Sequence, residues 1–140
     1  MSGPQEQTRQ ETPSGRPDPV TVVAPDERRP GPGTPGMVRQ EAFATDRMWS
    51  GLVRTEPGMV SGWHHHGTHE TVVYLLSGAL RVDFGPDGAE SVTARPGDFL
   101  RVPAGAVHRE SNPSAEPAEA LVIRAGTGPS TFNVDGPKPA

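Results

Sequence analysis

The chain has 140 residues and a formal net charge of −4, with 32% hydrophobic residues, 17 glycines, 17 prolines and no cysteine. That length allows one domain, and the missing cysteine excludes disulfides, thiolate zinc sites and cysteine nucleophiles. Acidic and basic residues are interspersed, without the basic stripe that nucleic acid requires, the basic amphipathic helix of a membrane-surface binder or an apolar run long enough to span a bilayer. The polar, Pro-rich N-terminus has no apolar h-region, so the expected location is cytoplasmic.

Residues 1–36 carry almost no apolar content beyond Val20, Val22 and Val23, and prolines recur at 4, 13, 17, 19, 25, 30, 32 and 35. Proline at that density forbids a long helix or a central strand, and so little apolar surface cannot offset the entropy of ordering. A disordered tail is expected, with Val20–Val23 the one stretch able to add to a sheet edge. From Met37 the texture changes. Short apolar runs of β character predict strands near 38–44, 48–55, 59–65, 71–77, 79–84, 90–94, 98–102, 107–111 and 119–125. Between them lie EPG, SG, GPDG, RPG, PAG and NPSAEP, in which Pro presets φ and Gly or Asp supplies unusual φ. Many short strands with no helical periodicity argue an all-β sandwich or barrel over 37–126. Residues 127–140 return to loop composition, with Phe132 and Val134 as the only anchors.

Residues 61–71 read SGWHHHGTHET and hold four of the five histidines. Side chains at i and i+2 share one face of a strand, so His64 and His66 present two imidazoles together while His65 faces away. An internal HHH is not a terminal tag. A third imidazole comes from His108, which follows the Pro103-Ala104-Gly105 turn and starts a strand able to lie beside the first. Inward histidines in a narrow apolar barrel are costly unless paired or ligated. Structural histidines without metal are the alternative.

These residues resemble the two motifs of the cupin superfamily. Gly97, Pro103, Gly105, His108 and Asn112 match the second motif in full. Gly58, His64, His66, Glu70 and Gly78 match the first with one departure, because seven residues rather than six separate Glu70 from Gly78. The resemblance implies a jelly-roll β-barrel, often dimeric, that binds a divalent metal through three His and one Glu. The ligand set it implies here is His64, His66, Glu70 and His108. Counting back from Gly78 instead puts Thr71 in the acid's position, which leaves three histidines and water; His69 is a third candidate.

For such a site the resemblance implies Fe(II) first, with Mn, Ni, Co, Zn or Cu possible, and a dioxygenase-like oxidoreductase on a small organic substrate. A non-catalytic small-molecule sensor, or a metal-dependent isomerase or decarboxylase, are the alternatives. Glu110, two residues after His108 and on its face, and Tyr74 are the candidate catalytic acid, base or hydrogen-bond donor. Trp63 reads as packing, Asn112 as ordering the NPS turn, and Arg54, Arg81, Arg101 and Arg109 as mostly outer-face residues, although one inward arginine could bind a substrate carboxylate. A homodimer is expected, with strand 38–44 as the exchanged element.

Overall fold

A computed structural model describes residues 17–139. The disorder expected for residues 1–16 lies outside the described residues. Eleven strands follow in chain order: β1 Arg29–Pro30, β2 Met37–Ala44, β3 Met48–Thr55, β4 His64–His65, β5 Glu70–Ser77, β6 Leu80–Phe84, β7 Glu90–Ala94, β8 Phe99–Val102, β9 His108–Ser111, β10 Ala118–Ala125 and β11 Phe132–Asn133. They form one sheet in the order β1-β2-β3-β10-β5-β8 and a second in the order β11-β4-β9-β6-β7. Both are antiparallel, and the expected all-β jelly roll is what the chain adopts.

Strand alternation decides what faces inward. Thr71, Val73 and Leu75 of β5 and Ala118, Ala120 and Val122 of β10 are buried. With Met37, Val53, Leu80, Val82, Leu100 and Val102, most of these form one apolar cluster between the sheets. The inward side chains of β10 are small, and β3 places Gly51 opposite Val122. A methyl at Gly51 would meet the Gln40 carbonyl oxygen at 2.3 Å, beside the register shift between Glu41 and Phe43 in β2. Glycine there lets β2 cross close over β3.

The structure departs from the sequence-based strands in three places. The strand expected over 59–65 is reduced to β4 and an isolated bridge between Val60 and Ser111. There the Ser61 hydroxyl accepts the Glu110 N–H at 2.9 Å, in place of a ladder carbonyl. The sheet edge is taken by Arg29–Pro30 against β2; Val20–Val23 form no strand, and Val20 is fully exposed. Proline suits that edge because it has no N–H to leave unpaired. At the other end β11 pairs with β4, setting Phe132 opposite His65 and Asn133 opposite His64.

Asn112 ties the two ends of the barrel floor together. It is 1% exposed, donates to the carbonyls of Thr55 at 3.0 Å and Glu116 at 2.8 Å, and accepts from the Ser114 N–H and hydroxyl. Replacing it by alanine removes the side-chain donor to the buried Thr55 carbonyl and both contacts to Ser114. Asn112→Ala is expected to cost roughly 2–4 kcal/mol in urea denaturation at unchanged slope.

Candidate metal centre

The Pro103–Ala106 turn sets the start of β9. The Ala106 N–H closes it onto the Pro103 carbonyl at 3.2 Å, and Gly105 adopts φ +75°. β9 then runs beside β4 with His108 directly opposite His64. On its other side His108 faces Phe84, and Glu110 faces Val82. His108 and Glu110 therefore share the inward face, as their spacing requires.

Ring centroids lie 4.3 Å apart for His64 and His108 and 5.1 Å apart for each pair with His66. One donor atom from each of His64, His66, His108 and Glu110 lies within 4.8 Å of all the others. Every Nδ1 is already engaged. His64 donates to the Gly62 carbonyl at 2.9 Å, His66 to Ser130 at 2.6 Å and His108 to Ala106 at 2.9 Å. A carbonyl can only accept, so the protons sit on Nδ1 and three Nε2 lone pairs converge. This is how proteins orient metal-binding imidazoles. The His108 Nε2 also faces Glu110 Oε2 at 3.3 Å, and the His64 Nε2 lies 3.9 Å from the same oxygen. Lone pairs set against a carboxylate repel unless a cation or proton lies between them.

The donors fit a transition metal. Two donors sharing one ion at about 2.1 Å lie at most about 4.2 Å apart, so small side-chain rotations close the set. Imidazole with carboxylate suits iron, manganese, cobalt, nickel, copper or zinc. Burial, aided by the charge of Arg124, holds His66 down to about 4, and burial also lowers His64. Burial opposes ionisation of Glu110, but a hydrogen bond from a protonated His108 Nε2 and the positive charge that the nearby imidazoles gain in acid outweigh it and hold the carboxyl at about 2. Near neutral pH His64 and His66 are therefore neutral and Glu110 is charged, the forms that bind metal.

The acid expected to complete the set does not reach it. Glu70 lies on the outer face, half exposed, and is bound by Arg101 Nε at 2.6 Å. The reason is register: Thr71 is the inward residue, 3% exposed, and neighbours on a strand point oppositely. Glu110, expected as a catalytic acid, stands where the fourth ligand was sought. Tyr74 also faces outward, against Phe99 at 4.8 Å, because Val73 and Leu75 take the inward positions. It lines no part of the cavity. His69 is buried but outside the cluster: its Nε2 donates to the Gly128 carbonyl at 2.9 Å, and its Nδ1 has no partner among the described residues. His65 stacks on Phe132 at 4.9 Å, and Trp63 packs under Arg109. Arg54, Arg81, Arg101 and Arg109 all pair with carboxylates on outer faces.

The cluster opens into a cavity of about 470 Å³ lined by apolar barrel residues together with Arg39, Arg124, Ser130, Thr131 and Asn133. Both arginines were missed by sequence reasoning. Arg124 was within its reach, since it continues the inward parity of Ala118, Ala120 and Val122.

Glu110→Gln is expected to weaken binding of a divalent transition metal by roughly 100-fold, and Glu70→Gln to leave it within about twofold, as isothermal titration would measure. The metal-free protein should also lose stability in acid. His66 takes its proton near pH 4 when folded and near 6.5 when unfolded. The unfolded chain then binds more protons across that window, so stability falls as pH drops from about 6.5 to about 4, by about 3 kcal/mol from His66 alone. Glu110 extends the loss below 4.5 with the same sign. His66→Gln should flatten the upper part of this profile in thermal melts.

No curated protein matches the sequence. Among solved structures, the chain is similar to TT1209 from Thermus thermophilus, at 32% identity and TM-score 0.59 over 69% of this chain and 89% of that one. It is similar to KdgF from Halomonas sp., at 20% identity and TM-score 0.63 over 76% and 94%. It also resembles an oxalate decarboxylase of B. subtilis, at 20% identity and TM-score 0.63 over 81% of this chain but 32% of that one. The latter two likenesses show the fold. The family model described as Cupin domain matches residues 51–124, from the middle of β3 to the end of β10. That span exceeds half the chain and contains all four residues of the cluster, and on that match this protein belongs to the cupin family.

Proposed function

We propose that this cupin is a metal-dependent enzyme acting on a small organic substrate inside the barrel, by dioxygenase-like oxidation. The observation that carries the reading is the convergence of three Nε2 lone pairs and the Glu110 carboxylate at the wall of the barrel cavity. A divalent transition metal, Fe(II) in this reading, would be held by His64, His66, His108 and Glu110 and would supply redox and Lewis-acid chemistry there. The protein's own part is threefold. The carbonyls of Gly62, Ala106 and Ser130 fix the imidazoles; Glu110 offsets cationic charge; Val73, Val82, Leu100 and Val122 keep water from the rest of the chamber.

A second reading is an oxygen-independent decarboxylation or isomerisation. The likeness to an oxalate decarboxylase favours it, as does the same capacity to polarise a carbonyl. Oxygen separates the two. Anaerobically purified, iron-loaded protein is expected to consume O₂ with enolic or phenolic substrates, and His108→Ala to consume none. Turnover that continues without O₂ would favour the second reading, and a purified protein that takes up no metal would sink both.

The proposed assembly is a homodimer through the outer face of the larger sheet. Val72, Leu76, Phe99, Leu121 and Ile123 are 36–75% exposed there, an apolar face that a second copy would cover. Light scattering should give the mass of two chains at micromolar concentration; one chain's mass would contradict it. No described helix is long and apolar enough to cross a membrane, and a cytoplasmic location belongs to the same proposal.

A further inference from the structure

Four residues of β10 point into the barrel: Ala118, Ala120, Val122 and, at the open end, Arg124. Arg124 lies opposite Thr71 of β5 and Trp49 of β3. Its Nε donates to the Thr71 hydroxyl at 3.1 Å. Its two terminal nitrogens have no protein partner among the described residues. Arg39 shares the cavity and is tied through Nη1 to the Pro32 carbonyl at 3.1 Å and the Thr34 hydroxyl at 2.9 Å, with Nη2 on the Met37 sulfur. Neither arginine forms an ion pair among the described residues. The cavity's acidic groups are Glu110, held at the histidines, and Asp46, exposed on the rim.

Burying guanidinium charge without a counter-ion is costly. Burial lowers both arginines, Glu110 opposes this for each, and Arg39 also repels Arg124. The two cations thus lean on one carboxylate that the metal cluster already engages. The family motif counted back from Gly78 puts an acid at the position of Thr71. An acid there would neutralise Arg124. Threonine orients its Nε instead and leaves the fork open.

We propose that the substrate bears a carboxylate, gripped by the terminal nitrogens of Arg124 with Arg39 adding charge, so that the rest of the molecule lies against the histidine cluster. This rests on the reading of the cavity as a substrate chamber and names the substrate's class. A guanidinium fork matches a carboxylate through two parallel hydrogen bonds. Thr71 is then a positioning residue.

Isothermal titration of the full chain, metal-free and metal-loaded, with acetate, malonate and benzoate, each against its neutral amide, tests this. At least one carboxylate should bind the metal-free chain about tenfold or more tightly than its amide. Arg124→Gln should erase that preference while metal content and the circular dichroism spectrum stay unchanged. Arg124→Lys should keep part of it, and Thr71→Val should reduce it without removing it. No preference for any of the acids, or a preference that survives in folded Arg124→Gln, would overturn the proposal. If the chain takes up no metal yet keeps an Arg124-dependent preference, the metal reading fails and this one stands.

Discussion

The cross-strand pair of His64 and His108 is the constraint on which the rest of the site depends. Direct opposition on β4 and β9 brings their rings to 4.3 Å. Alternation then carries His66 and Glu110 to the same face, two residues along each chain. Nδ1 of each of the three clustered histidines is consumed by a backbone carbonyl, so their Nε2 lone pairs have nowhere to point but toward one another and the Glu110 carboxylate. Such a cluster is self-repelling when dry and satisfied by a cation. Its burial against Val82 and Phe84 raises the stakes, because a low dielectric strengthens both the repulsion and its relief.

The flanks of the barrel supply polar atoms more than apolar ones. Ser130 holds His66, Gly128 holds His69 and Thr127 accepts from Thr68, all through carbonyl oxygens. On the other side Pro32 and Thr34 hold Arg39. These segments read as loop-like because composition reports how much apolar surface a stretch can bury. It does not report where its carbonyls go. The same backbone that looks featureless in sequence fixes a histidine tautomer and an arginine.

The barrel was legible because turn chemistry and alternation agree from Met37 onward: PAG, RPG and GPDG break the chain where the strands end. Three histidines of the cluster were legible because His64 and His66 share a strand face and His108 follows the Pro103 turn. The acid was not. Glu70 and Thr71 differ by one residue of register, and one residue turns a side chain from the cavity to solvent. The burial of Val73 and Leu75 settles that register, and with it the outward position of Tyr74. Glu110 was visible as a neighbour of His108 on the same face; what hid its place in the cluster was the assumption that the acid comes from the first motif. Arg124 follows from the parity of β10, a period-2 pattern that Ala118 and Ala120 make weak because alanine marks no face strongly.

Anomalous diffraction from crystals of the metal-loaded protein, recorded at the metal's absorption edge, bears most directly on the centre. The expected result is one peak within bonding distance of Nε2 of His64, His66 and His108 and of a Glu110 carboxylate oxygen, with Glu70 still bound to Arg101. A peak coordinated by Glu70 or His69, or no peak between β4 and β9, would contradict the assignment.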